Sequence, residues 1–331
     1  MELISVIGGS GFIGSRLVSR LNLNSLNQVR ILDKVISSDF PNQSLQVNVC
    51  SVNDLRSSLV NCESIINLAA EHRDDVVPVS LYEKVNVQGA ENVCLVAREI
   101  GINTIVFTSS VAVYGFAPIG TSESGRIAPF NEYGRTKWLA EKIYETWQKE
   151  DPLNRRLIIV RPTVVFGERN RGNVYNLLKQ ITSGRFMMIG NGFNRKSMAY
   201  VENVAAFLEY SLTFKAGIHV YNYIDKPDFS MNELVDFVNK ILKRSNYTKI
   251  KLPIVLGIII GKFFDIVSKV LGKKFLISEI RIKKFCTDSI YDSSMLSTGF
   301  IPPIKLLDAL QKTIEFEFIE DNKFENLFYS E

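Results

Sequence analysis

A glycine turn, Gly8-Gly9-Ser10-Gly11-Phe12-Ile13-Gly14, follows at once on the apolar run Leu3–Ile7 and opens a helical pattern over Phe12–Leu23. Few folds accept strand, glycine turn and helix in that order. Glycines at Gly8, Gly11 and Gly14 allow a tight turn and let backbone N–H groups, those of Phe12 and Ile13 among them, approach a pyrophosphate at the helix N-terminus. The G-x-x-G-x-x-G spacing alone is a weak signal; the strand before it and the helix after it give it weight. Asp33 ends the next apolar run, about 20 residues beyond the turn. A carboxylate there binds the adenosine ribose hydroxyls and repels a 2′-phosphate, which predicts NAD over NADP. Lys34 beside it, and the plainer reading of Asp33 as a turn residue, keep the alternative open.

The pattern continues in the same manner. Leu3–Ile7, Val29–Leu32, Leu45–Val49, Ser64–Leu68, Thr104–Thr108 and Leu157–Val160 read as strands. Between them, Phe12–Leu23, Asn53–Val60, Leu81–Ile100 and Tyr133–Lys149 carry helical spacing. Strand alternating with helix predicts an α/β fold, a doubly wound parallel sheet with helices on both faces. Beyond Arg161-Pro162 the pattern loosens: 167–197 is rich in Gly, Asn and Arg, as binding loops are. Helices are expected at Val201–Leu212 and Met231–Leu242. The division expected is a dinucleotide domain over 1–166, with 198–225 returning to it. A smaller C-terminal substrate-binding domain takes 167–197 and 226–331.

The 331 residues suffice for this, and 46% hydrophobic with 22% charged residues reads as globular. A net charge of +4, with no dense basic stripe interleaved with aromatics, argues against nucleic acid. Cys50, Cys62, Cys94 and Cys286 have no metal spacing and read as buried thiols in a reducing compartment. His72 and His219 sit in no Cys/His cluster, so no metal site is expected. No secretory leader is expected, since the first strand runs straight into the glycine turn. No stretch reaches the ~18 apolar residues of a spanning helix; 252–260 comes nearest.

Tyr133 and Lys137 lie one helical turn apart and share a face. An ammonium beside a phenol favours phenolate, which lets tyrosine move a proton nearer neutral pH than its ordinary ~10. Taken alone, such a pair is common on solvated helices. Thr108-Ser109-Ser110 closes the fifth expected strand, and ligands gather at the carboxyl ends of parallel strands. A serine hydroxyl there can bond a substrate oxygen; capping of the next segment is the alternative, and it suits Ser109 better than Ser110.

The glycine turn, Asn67-Leu68-Ala69-Ala70, Asn86-Val87-Gln88-Gly89, Ser110-x-x-Val113-Tyr114-Gly115, Tyr133-x-x-x-Lys137 and Arg161-Pro162 together resemble the extended short-chain dehydrogenase/reductases over roughly residues 1–210. The resemblance implies Ser110, Tyr133 and Lys137 as the catalytic set, with Lys137 also holding the nicotinamide ribose. It implies NAD contacts at Gly8, Gly11, Phe12, Ile13, Gly14, Asp33, Asn48, Ala69, Ala70 and Asn86, and a homodimer built on Leu81–Ile100 and Tyr133–Lys149. Dehydratases of the family carry an acid just after the catalytic serine. Val111 and Ala112 stand there, which leaves epimerase or ketoreductase.

Ala70-Glu71-His72-Arg73-Asp74-Asp75-Val76, Phe166 to Asn176, Lys196 to Val201, Tyr221 to Asp228 and Lys283-Lys284-Phe285-Cys286 extend the resemblance over nearly the whole chain. These strings are similar to bacterial enzymes that epimerise GlcNAc to GalNAc at C4 on undecaprenyl diphosphate for O-antigen and other surface polysaccharides. A soluble UDP-sugar epimerase is the alternative. The implied substrate contacts are Ser109, Ser110, Thr163, Arg169, Arg171, Asn173 and Lys196. Thr163 and Lys196 depart from the usual Asn and Arg of uridine-diphosphate pockets, and Asn48 from the usual acid at the adenine. Arg169 and Arg171 also read as a plain solvated loop. Residues 251–274 combine an apolar run with Lys262, Lys269, Lys273 and Lys274, as a basic amphipathic segment at a membrane interface does. A buried helix is the other reading. With the resemblance, the segment implies a cytoplasmic protein peripheral on the inner membrane.

Overall fold

The computed structural model describes residues 2–73, 76–184, 186–244, 251–271, 278–322 and 326–329. Its strands are β1 (Glu2–Ile7), β2 (Asn27–Asp33), β3 (Ser44–Gln46), β4 (Ser64–Asn67), β5 (Thr104–Thr108) and β6 (Arg156–Pro162). There follow β7 (Val164–Phe166), β8 (Met188–Ile189), β9 (Arg195–Tyr200), β10 (Gly217–Tyr223), β11 (Asp225–Ser230) and β12 (Lys251–Leu252). The helices are α1 (Phe12–Leu21), α2 (Val52–Ser58), α3 (Ser80–Tyr82), α4 (Gly89–Ile100), α5 (Glu132–Lys149) and α6 (Asn173–Thr182). The later ones are α7 (Val201–Ser211), α8 (Met231–Ile241), α9 (Ile254–Leu271), α10 (Glu279–Cys286) and α11 (Leu306–Phe318).

The central sheet runs β10-β6-β5-β4-β1-β2-β3, with every pair parallel. Strand order reverses between β1 and β4, and that switch point opens a crevice at the strands' carboxyl ends. Ile65, Ile105 and Ile159 bury one face of the sheet with Val93 of α4 and Trp147 of α5. Ile66, Val106 and Ile158 bury the other with Leu17 of α1 and Phe207 of α7. Both faces are covered, which is why these strands read as short unbroken apolar runs. A smaller body lies beyond: the sheet β11-β9-β7, with α6, α8 and α11 sharing a core around Leu178, Val235 and Leu310.

The six expected strands are present: Thr104–Thr108 has the expected bounds, and no end of the others is moved by more than three residues. Several elements escaped the sequence reading, α6 and β10 among them. The Gly-, Asn- and Arg-rich 167–197 contains α6, whose Val174, Leu178 and Ile181 bury one stripe at helical spacing. The strand β10 is the sheet's edge and stays half-exposed over most of its length, so it lacks the apolar signature of its neighbours. The single helix expected over Leu81–Ile100 is broken by a π-helical stretch, Glu83–Gln88, which carries Asn86. Of the cysteines, Cys62 and Cys94 are buried, whereas Cys50 and Cys286 are only half-buried.

Residues 251–274 form β12 and α9. The helix packs through glycines: a Cβ on Gly261 would strike the Glu279 backbone at 2.7 Å, and one on Gly257 would meet Ile189 at 2.9 Å. This seats α9 on α10 and β8 and turns Val255, Ile259, Phe263 and Ile266 outward, each more than half exposed. The face is therefore not core. Lys273 and Lys274 lie outside the described residues, as do Asp74, Asp75 and the side chains of Lys269 and Val270. Among the described residues no helix is long and apolar enough to cross a membrane.

Candidate active site

The glycine turn lies at the switch point. Gly8 has φ +80°, and a Cβ on it would meet the Ala69 nitrogen at 2.7 Å. A Cβ on Gly14 would meet the Gly8 carbonyl at 2.5 Å. Only glycine lets α1 close this tightly on β1 and β4. Gly11 caps α1 with no side chain over the helix end, so the first-turn N–H groups of Phe12 and Ile13 face an anion-ready N-terminus. Asp33, at the end of β2, accepts from the Ser10 N–H at 3.0 Å and the Val35 N–H at 3.3 Å. Burial raises its pKa above the ordinary carboxylate value while these N–H bonds oppose the rise. A pyrophosphate cradle with an acid beside it fits a dinucleotide.

Of the residues expected to be catalytic, Ser110 follows β5, and α5 carries Tyr133 and Lys137. Asn131 caps α5 by accepting from the Gly134 N–H at 2.9 Å. A Cβ on Gly134 would collide with the Ala112 carbonyl, so the first turn of α5 sits directly on the segment after Ser110. This seats the turn of α5 that carries Tyr133 on that segment. One turn on, Lys137 is buried and donates from Nζ to the Thr108 carbonyl at 2.7 Å. Burial pushes its amine down to about 7, partly opposed by Glu141. Thr108 Oγ1 is buried with no hydrogen-bond partner among the described residues.

The two serines divide the work differently from expectation. Ser110, not Ser109, is the cap: its Oγ accepts from the Ala112 N–H at 3.1 Å and starts the 3-10 turn Val111–Tyr114. A hydroxyl that accepts one bond keeps its O–H to donate, so the cap and the catalytic role are compatible. Ser109 is turned away. It is 1% exposed and donates its O–H to Glu141, which leaves it no proton to donate to a substrate.

Behind it lies a buried network that the sequence reading missed. Arg161 donates to Glu141 from Nε at 2.9 Å and Nη2 at 2.6 Å, and to the Tyr114 hydroxyl at 2.7 Å. Glu141 follows Lys137 by one turn, as Lys137 follows Tyr133, so helical spacing alone marks it as a member of this face. Asn86 is likewise fixed: its amide holds Glu71 on both sides and donates to Thr136 at 2.9 Å. It shapes the turn after β4 rather than presenting a free amide to a cofactor. Ala69 sits in that turn, its N–H held by Asn67 at 3.0 Å, and Ala70 follows it half-buried. Asn48 is exposed and folds back on the Cys50 N–H at 3.0 Å.

Most of the expected substrate contacts are not assembled here. Arg169 pairs with Asp39 at 3.3 Å and donates to the Asn326 carbonyl at 2.8 Å. Arg171 pairs with buried Glu317 at 2.8 Å and stacks on Tyr175. Neither is a solvated loop residue, and both spend their charge within the fold. Lys196 spends its ammonium on the Lys284 carbonyl at 2.7 Å, the Thr287 carbonyl and Ser289, tying β9 to the end of α10. Burial pushes its pKa down to about 8. Thr163 is buried against the Tyr223 carbonyl, and Asn173 is exposed at the start of α6.

A crevice at a sheet reversal, floored by glycine and flanked by a serine, a tyrosine and a buried lysine, is the architecture of the extended short-chain dehydrogenase/reductases. The chain belongs to the NAD dependent epimerase/dehydratase family, whose profile matches residues 4–223. It is 45% identical over 330 residues to the N-acetyl-alpha-D-glucosaminyl-diphospho-ditrans,octacis-undecaprenol 4-epimerase of Escherichia coli O157:H7, covering 99% of each chain. It is 27% identical to a UDP-glucose 4-epimerase of Vibrio cholerae, covering 81% of this chain and 85% of that one. Among solved structures, the UDP-glucuronic acid 4-epimerase of Bacillus cereus with NAD superposes with a TM-score of 0.75 at 20% identity, covering 95% of this chain and 98% of that one. At that identity the likeness shows the fold.

Proposed function

We propose that this NAD-dependent 4-epimerase interconverts GlcNAc and GalNAc at C4 while the sugar is carried on undecaprenyl diphosphate. The observation that carries the reading is end-to-end similarity to a relative named for that reaction; it is supported by Ser110 following β5, Lys137 bonded to the end of β5, and Tyr133 one helical turn before Lys137. Tyr133 takes the proton of the C4 hydroxyl and later returns it. Ser110 donates to the same oxygen, and Lys137, anchored on Thr108, holds the electrostatics of the pair. NAD supplies the hydride acceptor that lets C4 pass through a ketone and regain its hydrogen on the other face. Val111 and Ala112, the residues after Ser110, bring no acid for loss of water, which fits an isomerase.

On this reading 167–197 and 226–331 form the substrate-binding part, and the product feeds O-antigen or related surface polysaccharide. The outward face of α9, apolar and bordered by exposed Lys262, lies in the inner-membrane interface on the cytoplasmic side. Two copies pair through α4 and α5. A soluble UDP-sugar substrate is the competing reading, favoured by the Vibrio cholerae relative. A paired assay separates them: purified protein is given radiolabelled UDP-GlcNAc or GlcNAc-diphospho-undecaprenol in membranes, without added reductant. Conversion of the lipid-linked sugar alone is the expected result. Conversion of UDP-GlcNAc alone overturns the carrier assignment, and conversion of neither points to a reductase.

A further inference from the structure

Stretches far apart in the sequence meet beside the glycine turn: the first turn of α1, the loop after β2, the loop 167–171 that leaves β7, the end of α11, and the segment 326–328. The last of these lies along 169–171. The Phe328 N–H donates to the Arg169 carbonyl at 2.9 Å, and the Arg171 N–H donates to the Phe328 carbonyl at 2.7 Å. From there the Phe328 ring reaches the Phe12 ring, with centroids 5.8 Å apart, while Asn326 donates to Asp39 at 3.1 Å. Arg169 joins the two contacts: its guanidinium pairs with Asp39 at 3.3 Å and lies 5.1 Å over the Phe328 ring. Phe12 carries one N–H of the pyrophosphate cradle, and Asp39 belongs to the loop that Asp33 begins. The two elements suited to grip a dinucleotide are thus tied to each other through a third.

The tie is built unevenly. Its root is fixed: the Glu317 side chain, 2% exposed, accepts from the Arg169 N–H at 2.6 Å and pairs with Arg171 at 2.8 Å. Breaking a buried pair of that kind is costly. Its tip is held more weakly, since the Arg169 and Asp39 side chains are 18% and 26% exposed and water replaces such a pair at small cost. Arg169 is also a non-glycine residue at φ +71°, a conformation that persists only where its surroundings hold it and that recurs at ligand clamps. A segment rooted in this way opens at its tip while the core stays folded.

We propose that Asn326 and Phe328, with Arg169, form a clasp that keeps NAD in its cleft between turnovers. An epimerase needs one, because the hydride taken from C4 must return to the same sugar; cofactor lost between the two halves strands a ketone. The clasp sets when the cofactor leaves and takes no part in the proton transfers. This rests on the epimerase reading above, whichever carrier bears the sugar.

The test follows exchange of enzyme-bound NAD for radiolabelled NAD, read on the protein after rapid gel filtration. In N326A/F328A the exchange rate is expected to rise about tenfold, as the loss of one half-buried ring and one hydrogen bond allows. The dissociation constant for NAD stays within about threefold of wild type, since a barrier to release is a barrier to entry as well. N326A alone, which leaves every ring in place, gives a rise of about threefold, and F328Y, which keeps the ring, exchanges as wild type does. Melting temperature reports whether each variant is folded. Folded variants that exchange NAD at the wild-type rate overturn the clasp. So does an affinity that falls in step with the exchange rate, which marks a lost contact and not a barrier. A wild type that converts sugar only with added NADH, releasing NAD each time, overturns the epimerase reading itself, a distinct result.

Discussion

Replacing Glu141 by Gln removes the counter-charge of a guanidinium held inside the fold. The Arg161 and Glu141 side chains are 4% and 0% exposed, and two N–H groups of Arg161 reach the carboxylate at 2.9 and 2.6 Å. Arg161 keeps the Tyr114 hydroxyl at 2.7 Å and the Glu123 carbonyl at 3.2 Å, neither of which carries charge to offset its own. The glutamine carbonyl can still accept from Ser109, but the amide NH2 then faces an Arg161 N–H in place of an acceptor. Breaking one side of such a pair costs about 3–5 kcal/mol, because the partner is left buried and uncompensated. For a chain of this size that is a loss of about 4–7 °C in melting temperature. Removing both charges together, in E141L/R161M, is expected to recover most of the loss, since two apolar side chains carry no desolvation penalty. Thermal and urea unfolding of wild type, E141L, R161M and the double give the coupling directly. Glu141→Gln within about 1 kcal/mol of wild type would refute the argument, and so would a double variant as unstable as the two singles summed.

Tyr133→Phe keeps the ring and removes the proton-carrying oxygen, so kcat should fall by about 10²–10⁴ with melting temperature unchanged; isomer conversion over time reads it. Lys137 carries a proton in the unfolded chain up to ~10.5 but in the cofactor-free fold only up to about 7, so between those values the unfolded state binds more protons. The cost is full below pH 7 and is relieved as pH rises. Relative to Lys137→Met, wild type should therefore gain stability on the order of 1 kcal/mol per pH unit above pH 7, and a flat difference across that range sinks the reading. Placing charge on the outer face of α9, as in I259E/F263E, should abolish co-sedimentation with anionic vesicles while melting temperature holds, because both side chains are more than half exposed.

How much of this was legible in the sequence follows from the range over which each signal acts. The glycine turn and Asp33 were readable because strand, turn and helix are contiguous, and chain geometry fixes what lies between them. Tyr133 and Lys137 were readable because a helix carries residues four apart onto one face, and Glu141 was open to the same reasoning. The buried parallel sheet was readable because strands covered on both sides are apolar without interruption.

What only the tertiary structure decided was how polar side chains are spent. Arg169, Arg171 and Lys196 look alike in sequence to cations awaiting a diphosphate. Their partners, Asp39, Glu317 and the end of α10, come from segments far along the chain. Likewise, that Ser109 spends its O–H inside the fold while Ser110 caps the next turn depended on Glu141 lying behind the strand end. The fate of α9 was settled by Gly257 and Gly261, which turn one stripe to the protein and leave the opposite apolar stripe in the open. Local spacing says what a side chain is able to do, but a charge has one partner at a time, and the fold chooses it.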